Sequence, residues 1–231
     1  MIFSGLQKLT LLDYPGQVAC TLFTGGCNLR CPFCHNASLA LPTRERDALP
    51  DEEILAFLKK RQGLLDGVAV TGGEPLLHPE LPELLRKIKA LGYKIKLDTN
   101  GTFPERLRGL IDAGLIDRVA MDIKAAPDKY ALTVGVPKLD MAPIFESAAL
   151  LLSGVTEYEF RTTAVRGLHE PEDFPKIGEW LRGADEYYIQ CFIDSGDLIA
   201  GGGLSAFSKD DMQALAALVR PFVPSVKIRG L

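Results

Sequence analysis

Short apolar runs alternate with longer amphipathic segments through most of this chain. The runs at 17–24, 67–71, 94–98, 118–122, 157–163 and 186–192 predict short buried strands. Between them, segments at 51–61, 80–91, 104–113, 142–152 and 172–181 carry apolar residues at helical spacing and predict helices. The second of these has the clearest period. Leu81, Leu84, Leu85, Ile88 and Leu91 share one face, Arg86, Lys87 and Lys89 lie elsewhere, and Gly92 sits where a C-terminal cap belongs. Strand–helix alternation at this spacing predicts a parallel sheet with right-handed crossovers. Six strands are too few for a closed eight-stranded barrel. The expected fold is therefore α/β, an open partial (β/α)6 TIM-like barrel, formed as one domain over residues 1–231. No repeat, low-complexity tract or linker interrupts it. The run 42–50, with Arg44, Glu45, Arg46 and Asp47, reads as a solvated loop.

Composition narrows the class without naming it. The chain has 231 residues, 47% of them hydrophobic and 24% charged, enough to bury a full core. A net charge of -4 without a basic stripe argues against nucleic acid as the main partner. No run approaches the roughly 18 apolar residues of a membrane span, and no secretory signal is visible. A cytoplasmic enzyme is expected, without a membrane partner.

The densest chemistry lies in the loop 25–36, where Cys27, Cys31 and Cys34 follow a C-x3-C-x2-C pattern. Such thiolate density selects an iron–sulfur cluster, zinc or copper(I). Three ligands are one too few for a closed tetrahedral site or a fully ligated four-iron cluster, so one iron would stay open to a group that is not protein. A zinc site with His35 as fourth ligand is the alternative. Adjacent Cys34 and His35 would chelate one ion awkwardly, and Cys20 and Cys191 are isolated rather than a second C-x2-C pair. The odd cysteine count, five, argues against a disulfide framework.

Polar signals also fall where predicted strands end, which is where sites gather in parallel α/β folds. These are Thr71-Gly72-Gly73-Glu74-Pro75, Asp98-Thr99-Asn100-Gly101 and Met121-Asp122-Ile123-Lys124. Any one alone reads as a turn. Arg161 lies near the end of the fifth strand, either facing the pocket or paired with a structural carboxylate. Lys124 could equally be an ion-pair partner of Asp122. His78 and His169 read as surface residues, and Cys20 and Cys191 as buried structural thiols.

The cysteine spacing, with an aromatic just before the third cysteine, resembles the cluster loop of the radical S-adenosylmethionine (SAM) superfamily. The longer run LLDYPGQVACTLFTGGCNLRCPFCHN resembles the activating proteins of anaerobic ribonucleoside-triphosphate reductase, a branch of the glycyl-radical-enzyme activases. The resemblance implies the partial barrel of the radical SAM type. It also implies a 4Fe-4S cluster on Cys27, Cys31 and Cys34, with S-adenosylmethionine completing the open iron. Phe33 and backbone near His35 would meet the adenine. Gly72 and Gly73 would let backbone approach the methionine part, with Glu74 receiving its ammonium. Asp98, Thr99, Asp122 and Lys124 match stretches that surround the cofactor carboxylate and a monovalent cation, and Arg161 is favoured as facing the same pocket. Related activases often place a histidine near Cys191; this chain departs from them there.

The implied function is one-electron cleavage of S-adenosylmethionine to a 5′-deoxyadenosyl radical, which abstracts hydrogen from a backbone glycine of a large partner enzyme. The implied partners are anaerobic ribonucleoside-triphosphate reductase or another glycyl-radical enzyme, and a low-potential electron donor such as flavodoxin or ferredoxin. Many activases for other glycyl-radical enzymes carry an eight-cysteine insert, which five cysteines cannot supply. The alternatives are a radical enzyme acting on a peptide or small molecule, and a non-catalytic zinc or iron–sulfur module.

Overall fold

The computed structural model describes residues 3–41, 48–200 and 202–231. Among the described residues, eight strands form one sheet: β1 (Phe3–Thr10), β2 (Ala19–Thr24), β3 (Gly67–Gly72), β4 (Lys94–Thr99), β5 (Arg118–Asp122), β6 (Glu157–Ala164), β7 (Tyr187–Cys191) and β8 (Lys227–Arg229). Strand order in the sheet follows chain order. The pairs β2–β3, β3–β4, β6–β7 and β7–β8 are parallel, whereas β1 is antiparallel to β2. The helices are α1 (Ala37–Ala40), α2 (Asp51–Arg61), α3 (Leu81–Ala90), α4 (Pro104–Asp112), α5 (Tyr130–Thr133), α6 (Ala142–Leu152), α7 (Asp173–Trp180) and α8 (Lys209–Val219). None of them is long and apolar enough to cross a membrane.

The chain groups into two compact units. The first holds residues up to Asn28, with Ser38–Thr99 and Phe103–Val119; the second holds Leu29–Ala37, Asn100–Thr102 and Ala120–Leu231. In the first, Ala19, Cys20 and Leu22 of β2 and Val68, Ala69 and Val70 of β3 are wholly buried, as expected of parallel strands covered on both faces. Leu81, Leu84, Leu85 and Ile88 of α3 are each at most 1% exposed. Each stabilises the fold by roughly 1.5–3 kcal/mol through burial. Gly92 ends that helix at φ +90° with its N–H on the Lys89 carbonyl. Acidic Asp51, Glu52 and Glu53 open α2 and basic Lys59, Lys60 and Arg61 close it, matching its dipole. The second unit packs around Tyr130, Phe160, Phe174 and Tyr187, all fully buried.

All six expected strands and all five expected helices form, with ends moved by at most two residues. The strand count was too low. β1 is a half-exposed edge strand whose polar residues hide its pattern, and β8 is three residues long and held by pairing to β7. α8 was also missed, although Met212, Leu215, Ala216 and Val219 carry a helical period and are buried. The loop expected at 42–50 lies mostly outside the described residues; Leu49 pairs with Phe3.

Candidate functional site

In the first unit, β2 delivers the chain into Gly25-Gly26-Cys27, and the turn after β3 packs directly on that entry. Gly73 N–H donates to the Thr24 carbonyl at 2.9 Å, and Glu74 N–H donates to the Gly26 carbonyl at 2.9 Å. A Cβ on Gly73 would lie 1.9 Å from the Gly26 carbonyl oxygen, and one on Gly72, at φ +113°, 2.4 Å from the Thr24 oxygen. Both glycines are therefore required by backbone contact with the cysteine-loop entry. His78 adds a ring nitrogen 2.8 Å from the Gly25 carbonyl. It is half-buried rather than a plain surface residue.

Glu74 is fully buried. Its Oε1 accepts from Leu76 N–H at 3.0 Å and from Thr99 Oγ1 at 2.9 Å, capping the short 3-10 turn Pro75–Leu77. Arg106 braces the same turn from α4 through the Leu76 and Leu77 carbonyls. Asp98 is ion-paired at 2.5 Å with Lys96, which is itself 1% exposed. The strand-end groups at 74, 98 and 99 thus sit in a satisfied, rigid setting.

In the second unit, the cysteine loop is braced along its backbone. Arg30 N–H donates to Val134 O, Cys34 N–H to Cys31 O, and Ala200 N–H to Pro32 O. Gly135, at φ +66°, admits the Arg30 carbonyl; a Cβ there would lie 2.5 Å from it. The His35 ring stacks on Phe192 with centroids 5.5 Å apart. Phe33 is 4% exposed and meets the His169 ring edge-on at 6.3 Å.

Asp122, Lys124 and Arg161 form one ion-pair network. Lys124 Nζ lies 2.8 Å from Asp122 Oδ2, and Arg161 Nε 2.9 Å from Asp122 Oδ1. Both alternatives kept open from sequence, pairing of Lys124 and of Arg161 with a carboxylate, are realised on the same residue. Burial pushes the Asp122 carboxyl up, but Arg161 and Lys124 more than offset it, and it ends well below the usual carboxylate range. Burial pulls the Lys124 ammonium down; Asp122, then the Cys31 sulfur, reverse this, and its pKa ends above the ordinary lysine value.

His169 corrects the sequence reading most sharply. It is 1% exposed, not a surface residue, and its Nε2 sits 2.8 Å from the Lys124 carbonyl. Tyr130 was also missed; its hydroxyl accepts from Lys124 N–H at 3.1 Å. No local pattern marks either residue: His169 reaches Lys124 across 45 residues, and Tyr130 reaches it across six, a spacing no helix or strand period singles out.

None of the five cysteines forms a disulfide. Cys20 is fully buried and its thiol is pushed up to about 12 by burial, as fits a structural residue. Cys191 is half-buried and burial raises it as well. No group of three or more His, Cys, Asp or Glu among the described residues is arranged to hold a single metal ion. Cys27, Cys31 and Cys34 are thiols outside any disulfide, the donor type that suits a soft iron–sulfur centre, whose irons each take a separate thiolate.

Residues 21–181 match the Radical SAM superfamily. The chain belongs to that superfamily. The "Putative glycyl-radical enzyme activating enzyme" of Methanocaldococcus jannaschii is 34% identical over 198 residues, which cover 83% of this radical SAM chain and 80% of that protein. The pyruvate formate-lyase-activating enzyme of Staphylococcus epidermidis is 30% identical over 198 residues, covering 78% and 75% respectively. Streptococcus suis SuiB bound to the precursor peptide SuiA superposes with a TM-score of 0.68 at 17% identity, covering 91% of this chain and 48% of that one. That likeness is one of fold, the α/β partial barrel of radical SAM proteins. The superfamily uses a 4Fe-4S cluster and S-adenosylmethionine, and this chain carries a cysteine-rich region.

Proposed function

We propose that this radical SAM chain is an activase that installs a glycyl radical on a large partner enzyme, with anaerobic ribonucleoside-triphosphate reductase as that partner. One observation carries the reading: the Gly72-Gly73-Glu74 turn is hydrogen-bonded to the residue that precedes Cys27. A cofactor-binding turn built against the entry of the cysteine loop is what a shared cluster and cofactor site requires. Bound there, the two groups supply one-electron cleavage and abstraction of hydrogen from an unactivated C–H bond.

Cys27, Cys31 and Cys34 would hold three irons and leave the fourth to the cofactor. Phe33 and backbone near His35 are assigned to the adenine, and the turn at 72–74 to the methionine part. Asp98, Thr99, Asp122, Lys124 and Arg161 are assigned to the cofactor carboxylate and a monovalent cation. In the second unit, the charges of Lys124 and Arg161 are held in place by Asp122, so no side chain must reorganise to meet an anionic group. The glycyl-radical activases among its relatives support a protein substrate, and the run from Leu11 to Asn36 supports the reductase. A low-potential flavodoxin or ferredoxin would supply the electron.

The test is isotopic. Reconstituted, reduced protein is mixed with S-adenosylmethionine and reductase deuterated at its glycines. Deuterium should appear in the 5′-deoxyadenosine released, with a glycine-centred paramagnetic signal on the reductase. Label transfer from pyruvate formate-lyase instead would reassign the partner. Modification of a free peptide or nucleotide, with no label transfer from either enzyme, would overturn the activase reading.

A further inference from the structure

We propose that His169 is a positioning residue that sets the place of Lys124 through its backbone. The polypeptide leaves the sheet just after β5. Ile123 still donates its N–H to Arg161 O at 2.7 Å and accepts from Thr162 Oγ1 at 2.7 Å. One residue later the ladder has ended, and Lys124 needs partners for its own N–H and carbonyl. Both partners are side chains. The Tyr130 hydroxyl takes the N–H at 3.1 Å, and His169 Nε2 meets the carbonyl at 2.8 Å.

The state of the histidine follows from its neighbours. Val165 N–H points at Nδ1 from 3.1 Å, so Nδ1 accepts and Nε2 carries the proton. Burial holds the ring neutral, with its pKa below the ordinary histidine value. The same ring lies edge-on to Phe33, between Cys31 and Cys34 in sequence, and 6.2 Å from the Phe174 ring. An apolar side chain could fill this slot without the desolvation that a buried imidazole incurs. What the imidazole adds is a donor aimed at Lys124 and an acceptor for Val165. His169 thereby joins one residue of the cysteine loop to the backbone of the lysine that faces Asp122.

The consequence for S-adenosylmethionine rests on the function proposed above; the placement of Lys124 does not. Four variants decide between positioning and mere packing: His169→Phe, His169→Gln, Lys124→Met and the double change His169→Phe with Lys124→Met. His169→Phe keeps the ring and removes both hydrogen bonds, whereas His169→Gln keeps a donor for the Lys124 carbonyl. The first readout is trace acetylation of lysines in the folded protein, read by mass spectrometry against exposed Lys59. Loss of one hydrogen bond should raise Lys124 labelling about 5-fold in His169→Phe. Buried Lys96 should stay as in wild type, and His169→Gln should restore most of the Lys124 protection. Equal gains at Lys96 and Lys124, or no gain at Lys124, would overturn the proposal.

The second readout is equilibrium dialysis of S-adenosylmethionine with the reconstituted protein. His169→Phe should weaken binding about 5-fold in the wild-type background and have no further effect in the Lys124→Met background. Multiplying effects in the double variant would show that His169 does not act through Lys124. A wild-type protein that holds iron but binds no S-adenosylmethionine would refute the proposed function instead, with Lys124 labelling still deciding the role of His169.

Discussion

Gly73 shows how far a single residue can carry an argument. Its missing Cβ lets the turn at 72–74 close onto the Gly26 carbonyl, so Gly73→Ala must displace the residue next to Cys27. The expected loss is roughly 1–3 kcal/mol of stability, together with lower iron content after anaerobic reconstitution. Wild-type protein should take up about four irons and four sulfides per chain. Changing Cys27, Cys31 or Cys34 to Ala should abolish that uptake, while Cys20→Ala and Cys191→Ala should retain it. Iron and acid-labile sulfide assays read both sets of variants. Stoichiometric zinc in protein purified without oxygen, with no iron–sulfur absorbance on reconstitution, would return the loop to a zinc site. The three cysteines were legible because they crowd one short segment. The glycines were found too, but the sequence could not reveal that their small size serves the backbone of Thr24 and Gly26.

At the scale of elements, period and end signals sufficed wherever a segment was long and one-sided. α2 and α6 have the expected bounds, and α3 fills its apolar face as its leucines imply. β1 and β8 were hidden because their partners, not their own residues, define them. α8 carried a readable signal at its start. The Ser208 side chain accepts from Asp211 N–H, and the Asp211 carboxylate receives the Ser208 N–H, a reciprocal cap. Arg166 of the β6–α7 loop reaches the same carboxylate. Ser208→Ala should destabilise the protein by about 1 kcal/mol. On a chain of this size that lowers the thermal midpoint by about 2–4 °C, readable by circular dichroism. An unchanged midpoint would mean that water replaces the cap.

The whole molecule adds a pH response to these local effects. His169 has a folded pKa below its unfolded value of 6.5, so between the two the unfolded chain binds more protons. Its contribution is complete above pH 6.5 and declines as pH falls toward the folded value. Asp122 acts in the same direction lower down, since its folded pKa lies below 3.8. The thermal midpoint should therefore drop as pH is lowered from about 7.5 to 5, and His169→Gln should flatten that slope. A parallel slope in the variant would assign the response to other groups. By itself the sequence determined the alternation of strands and helices, the cysteine loop and the polar strand ends. Each of these is written in residues near one another, where spacing maps directly onto geometry. Only the tertiary structure decided what those polar groups face. Glu74 meets Thr99 across 25 residues, Asp122 meets Arg161 across 39, and His169 meets Lys124 across 45. Contacts over such separations are set by strand order and by which backbone groups remain unpaired where the ladders end, and no local pattern encodes either.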